Sequence, residues 1–292
     1  MGKLSAYLSV IRIREAIIFL SPSVVAMAIY LPDVSPRPLW RVLLLSLGCF
    51  FIMAFIFAYN DWADLAMDDQ VPGQRKNTYF KRGIEPGEML RLSIGLAIAG
   101  TLLIAAVASN LLPVTALMIL LGMAYSVPIP GLTGKAVPVY ASILHFAGIL
   151  LCFVFGAMAV TPLRTPAILV GCYFGVLITA GHLVQEVQDY ASDRASQVAT
   201  LAVRLGQRPV FLLSFALFGF SFLFLYVLAE AGLVPAASRY TTLLFPIYAL
   251  WAWGAYRSGL DEGSMRSLRN RYRVLFGIVV MLIIVGALVA HL

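Results

Sequence analysis

The chain has 292 residues, 61% of them hydrophobic and 12% charged, with a mean hydropathy of +0.90. That balance excludes a soluble globular domain and sets the chain among polytopic membrane proteins. Its net charge of +7 comes from cations scattered between apolar runs, with no soluble domain to carry a groove for nucleic acid; anionic lipid headgroups and phosphorylated substrates are the partners it suits.

A spanning helix needs about 20 mainly apolar residues, and nine such runs follow in order: roughly 15–34, 40–62, 89–109, 112–129, 137–160, 165–189, 209–231, 239–257 and 272–291. The first is preceded by Lys3, Arg12 and Arg14, lacks a small-residue cleavage site and is followed by further runs, so it does not read as a removable signal peptide. The second ends in Asn60-Asp61-x-x-Asp64-x-x-x-Asp68, and a polar stretch over 68–88 follows with Pro72, Gly73, Gly83, Pro86 and Gly87, the composition of a loop with turns. The fourth run is short and stops at Pro128 and Pro130, which predicts a tilted or broken helix. The sixth ends in Glu186-x-x-Asp189-x-x-x-Asp193, again followed by a polar stretch, 193–208. Both stretches would cap one opening. Cys49, Cys152 and Cys172 fall inside apolar runs without metal-ligand spacing, and are expected to pack rather than form disulfides.

The acidic segments carry the chemistry. Positions i, i+3 and i+7 of a helix share one face, so Asp61, Asp64 and Asp68 project together, as do Glu186, Asp189 and Asp193. Each member of the first trio has its counterpart 125 positions on, which marks an internal repeat. Two such faces set opposite each other make two walls for hard divalent cations. Mg²⁺ takes one or two carboxylates, keeps some waters and completes its shell with phosphate oxygens, so a diphosphate would fit between the walls; Mn²⁺ is the expected substitute. Asn60, one turn before Asp64, either ligates a cation or orients a carboxylate.

Positive charge orders the topology. With the N-terminus cytoplasmic, only Arg37, Arg41, Arg164 and Arg239 of the 21 Lys and Arg fall outside, and the other 17 fall inside. The bias predicts an inside N-terminus, an outside C-terminus and both acidic trios open to the cytoplasm.

At these residues the chain resembles the UbiA-type intramembrane prenyltransferases. NDWADLAMD at 60–68 matches their NDxxDxxxD signature, QEVQDYASDR followed by TLAVRLG at 200–206 resembles their second aspartate-rich motif, and Tyr125-Ser126-Val127-Pro128 resembles their YSxP segment, with Lys135 shortly beyond. Glu186 stands where many members have Asp or Asn, Thr78 where a proline is often found, and Gln197 where a glycine is common. The resemblance implies one all-α membrane domain over 1–292, with two similar four-helix halves (roughly 10–130 and 135–257) and a ninth helix (272–291) around a central cavity. It implies two Mg²⁺ ions on Asp61, Asp64, Asp68, Glu186, Asp189 and Asp193, and an isoprenyl diphosphate whose allylic carbon to oxygen bond breaks between them. The cation is then captured by a small aromatic or other lipophilic acceptor.

Among the cations after the first motif, Arg75 and Lys76 are candidate diphosphate contacts, with Lys135 and Arg194; Arg offers phosphate a bidentate fork and Lys a point charge. Tyr125 would face the carbocation, donate a hydrogen bond to phosphate, or anchor a helix at the interface. His182 lies one turn before Glu186, within reach of the cavity, and His145 sits in an apolar run; a helix-to-helix hydrogen bond would satisfy either, and neither has metal-ligand spacing. Two other readings compete. A UbiA-type terpene cyclase would capture the cation with a double bond of its own chain. A transporter would also use paired repeats and intramembrane carboxylates, but both trios here lie at one face rather than at midplane.

Overall fold

The computed structural model describes residues 3–31, 36–68, 83–126, 128–129, 132–133 and 137–290. Helices account for almost all of them. In chain order these are α1 (Lys3–Ile11), α2 (Ile13–Tyr30), α3 (Pro36–Asp68), α4 (Pro86–Ala108), α5 (Leu112–Ser126), α6 (Pro138–Val160), α7 (Thr165–Ala195), α8 (Leu201–Leu205), α9 (Gln207–Glu230), α10 (Phe245–Arg257) and α11 (Glu262–Ala290). Between α5 and α6, β1 (Pro128–Ile129) and β2 (Leu132–Thr133) form a two-residue antiparallel ladder with Pro128 opposite Thr133.

Seven helical stretches are long and apolar enough to cross a membrane: 5–30, 39–64, 86–126, 138–160, 165–195, 207–230 and 262–290. Three of the nine apolar runs take a different form from the one expected. The third and fourth fall together in 86–126, where Ala108 leaves helical dihedrals (φ −159°, ψ 80°) and a 3₁₀ turn, Ser109–Leu111, joins α4 to α5. The eighth, 239–257, is a 3₁₀ segment (Ala236–Leu244) followed by the 13-residue α10, shorter than an α-helix that spans alone.

Side-chain contacts give each helix its direction relative to the acidic segments. Met89 near the start of α4 packs with Ala54, Phe55 and Ala58 near the acidic end of α3, and Gly100 meets Gly48 at mid-height. α5 then returns, since a Cβ on Gly122 would sit 2.6 Å from Ile56 and Ser126 reaches Asn60. Gln207 at the start of α9 donates to the Val187 carbonyl, and α10 comes back to set Tyr256 beside Phe211, 6.0 Å between ring centroids. α11 starts from the acidic end and leaves it, because Gly286 packs on Pro235 at the far end.

Packing explains two local sequence choices. Pro22 inside α2 has no N–H for the Ile18 carbonyl, and Ser21 Oγ donates to that oxygen instead, at 2.7 Å. α2 and α6 approach so closely that a Cβ on Gly156 would lie 2.1 Å from the Ser23 carbonyl oxygen, so only glycine fits. One core cluster joins Val25 and Ala26 of α2 to α6, α7, α9 and α11; a second joins α2, α3 and α6; a third seats α1 on α3 through Ala6, Val10, Ala54 and Ala58. Leu102, Leu120, Leu223, Leu250 and Val274 are exposed, forming an outer apolar surface that suits lipid. Cys49, Cys152 and Cys172 are free thiols, as expected. The protein is an integral, multi-pass membrane protein.

Candidate active site

α3 and α7, at 33 and 31 residues, run past their apolar stretches and carry the acidic segments on their last turns. Among the described residues, the buried carboxylates are Asp61, Asp64 and Glu186, at 3%, 2% and 4% exposure. A charge so placed needs partners. Arg12 Nη1 lies 3.2 Å from Asp61 Oδ1 and donates to it. The left-handed backbone at Arg12 (φ 50°) breaks α1 from α2 and turns this guanidinium toward α3, where it also lies 5.2 Å from the centre of the Phe57 ring. Asn60 Nδ2 donates to Asp64 Oδ2 at 3.2 Å while its carbonyl accepts from Ser126 Oγ at 3.4 Å. The amide therefore orients Asp64 and ties α3 to the end of α5.

Glu186 is engaged on both oxygens. Oε2 accepts from the Ala202 backbone N–H at 3.1 Å, closing the turn between α7 and α8, and Oε1 lies 3.0 Å from His182 Nε2 without the alignment of a hydrogen bond. The His182 ring stacks on His145 (centroids 4.0 Å apart, planes at 15°), and His145 Nδ1 donates to the Ala141 carbonyl at 3.1 Å. Tyr125 stands edge-on to His145 at 5.0 Å, and Phe19 bridges His145 and Phe57 through two further edge contacts. An aromatic wall from α2, α3, α5, α6 and α7 thus backs the carboxylates. Tyr125 is half-buried. Its contact with His145, which stacks on His182 beside Glu186, sets it next to the second acidic segment.

The turn after α7 explains the residues that trail the second motif. Thr200 Oγ1 accepts from the Val203 N–H, capping α8, and Gly206 (φ 91°) allows the sharp step into α9. Gln197 has φ 54°, the left-handed region that favours glycine. Asp189 Oδ1 accepts from Gln188 Nε2 at 3.1 Å, and Arg194 Nη1 donates to the Tyr190 hydroxyl at 3.4 Å. Asp68 is the last residue of α3, in register with Asp61 and Asp64, and its side chain lies outside the described residues, as do Arg75, Lys76 and Lys135.

Oxygen donors dominate the site, the set that Mg²⁺ and Mn²⁺ prefer. Among the described residues no three His, Cys, Asp or Glu side chains converge on one ready-made metal position. Sequence reasoning missed Arg12, 49 residues from its partner Asp61 and counted only toward topology. It also left His145 and His182 unassigned; their single signal was a polar residue inside an apolar run.

Comparisons with known proteins agree with this architecture. A structure of a UbiA homolog from Archaeoglobus fulgidus bound to DMAPP and Mg²⁺ superposes with a TM-score of 0.74 at 19% identity, covering 98% of each chain. A digeranylgeranylglyceryl phosphate synthase gives 0.71 at 17% identity over 99% of each chain. The apo structure of a UbiA homolog from Aeropyrum pernix K1 gives 0.70 at 19% identity over 96% of this chain and 99% of that one. A search of curated proteins found none that matches the chain. Residues 19–276 match the UbiA prenyltransferase family, and the chain belongs to that family of membrane transferases.

Proposed function

We propose that the protein transfers an isoprenyl group from an isoprenyl diphosphate to a small aromatic or other lipophilic acceptor, releasing diphosphate in a Mg²⁺-dependent reaction. The observation that carries this reading is that an unbroken run of contacts joins the two acidic segments: Asn60 holds Asp64 and accepts from Ser126, and the adjacent Tyr125 stands against His145, which stacks on His182 beside Glu186. Asp61, Asp64, Asp68, Glu186, Asp189 and Asp193 would hold two Mg²⁺ ions. When bound, Mg²⁺ offsets the charge that grows on the departing diphosphate. Asn60 keeps Asp64 oriented, and Arg12 adds a cation beside Asp61. Arg75, Lys76, Lys135 and Arg194 would contribute further charge on the diphosphate side. Phe19, Phe57, Tyr125 and His145 present ring surfaces to the allylic carbon, which attract positive charge and exclude water. The A. fulgidus homolog bound to DMAPP and Mg²⁺ supports the same pairing of substrate and ion.

The proposed topology has nine crossings, in two four-helix halves with α11 added, the N-terminus and the site mouth cytoplasmic and the C-terminus opposite. Its support is the alternation of helix direction from α2 to α11, together with the 125-residue offset that carries α3 onto α7 and α4 onto α9. Product analysis by mass spectrometry tests the function. Purified protein with geranylgeranyl diphosphate, magnesium and a panel of acceptors should yield a prenylated acceptor and nothing without one. A cyclic hydrocarbon or alcohol formed without acceptor would replace transfer by cyclisation.

A further inference from the structure

The acidic end of the molecule holds a second concavity, on the outer side of α11. α11 turns Arg269 and Tyr272 inward, where Arg269 donates to Gln185 Oε1 at 2.7 Å and the Tyr272 hydroxyl donates to the Gly181 carbonyl at 3.3 Å. Its other side diverges from α10 around a cavity of about 190 Å³. Ser264, Ser267 and Arg271 line it at i, i+3 and i+7, one face of the helix. Across from them stand Trp251 and Gly254 of α10. A Cβ on Gly254 would meet nothing within 4 Å, so the missing side chain leaves the groove open.

Arg271 is the cation of this segment that lines the cavity. Arg266 pairs with Glu262, and Arg269 has Gln185. Arg271 lies 5.8 Å from the centre of the Trp251 ring, and among the described residues no carboxylate reaches it. Below it, two exposed apolar stripes run away from the acidic end: Leu250 and Ile247 on α10, and Val274, Ile278 and Met281 on α11. Stepping by three or four residues from Leu250 and Arg271, both stripes stay on the faces that bound the cavity. Basic pockets between membrane helices bind anionic headgroups.

We infer that this cavity binds one anionic phospholipid, its phosphate on Arg271 and the Ser264 and Ser267 hydroxyls and its acyl chains along the two stripes. A free phosphate would satisfy the arginine and leave the stripes unused. The site is separate from the carboxylate centre and does not depend on the proposed reaction.

Native mass spectrometry of delipidated protein in detergent tests it, with phosphatidylglycerol, phosphatidylcholine or inorganic phosphate added. Wild type should retain a first phosphatidylglycerol. Arg271→Ala should lower that retention about five-fold or more, and Gly254→Leu, which fills the groove without touching charge, should lower it as well. Arg266→Ala should not, phosphatidylcholine should bind weakly to all, and inorganic phosphate should not displace the lipid. Thermal unfolding followed by tryptophan fluorescence checks that both cavity variants are folded. Undiminished retention in folded Arg271→Ala overturns the site. Equal loss in Arg266→Ala makes the attraction diffuse, equal binding of phosphatidylcholine makes it an apolar coat, and displacement by phosphate makes it a simple anion site; each of these results rejects the inference.

Discussion

Glu186 shows how one side chain serves both the fold and the site. Its carboxylate accepts from the Ala202 N–H, and so decides where the chain turns after α7. Removing a buried acceptor strands that donor at a cost of about 1–3 kcal/mol. Glu186→Ala should therefore lower the melting temperature of the purified protein, whereas Glu186→Gln, whose amide oxygen still accepts, should melt close to wild type. Equal melting of wild type and the alanine variant would show that the turn does not rest on this contact. The acidic spacing was legible because helical periodicity is local: i, i+3 and i+7 need no knowledge of the rest of the chain. Arg12 was not legible, since its partner is reached through a left-handed residue and a packed α1 that no periodicity encodes. Gln197 was visible only as a departure from a resemblance, and its φ of 54° supplies the physical reason a glycine suits that position.

Among the elements, α11 and the 3₁₀ segment before α10 mark where hydropathy informs and where it fails. Hydropathy measures transfer into lipid, not hydrogen-bond pattern, so the run over 239–257 reads as a span although its first part is 3₁₀. The end of a helix is better written in sequence. Asp261 Oδ1 accepts from the Ser264 N–H at 3.0 Å at the start of α11, and that contact holds its carboxyl below the ordinary aspartate value. A depressed folded-state value means the stabilisation is fully present above the unfolded aspartate pKa of about 3.9 and is lost as pH falls through the lower folded value. Amide exchange at Ser264 should thus quicken, beyond the intrinsic pH trend, only in strongly acidic solution, and Asp261→Ala should quicken it at neutral pH. No difference between the two proteins at neutral pH would remove the cap. At the α2–α6 crossing, Gly156→Leu should destabilise by about 1–3 kcal/mol or more, since its Cβ alone meets the Ser23 carbonyl; a melting curve equal to wild type would contradict that packing.

The whole molecule brings two helix ends, each carrying a carboxylate face, beside a single aromatic wall. Their spacing was legible in the chain; the wall was not, because Phe19, Phe57, Tyr125, His145 and His182 come from five helices and look in sequence like any other packing residues. In the proposed reaction the two faces act on one isoprenyl diphosphate as a unit. The most direct measurement is a double-mutant cycle on diphosphate release from geranylgeranyl diphosphate, with Asp64→Asn, Asp189→Asn and both together. Groups that act as a unit are strongly non-additive, so each single change should lower turnover by about a hundredfold or more, and the double variant should fall little further than the worse single one. Losses that multiply, or a single variant that turns over like wild type, would contradict a shared site.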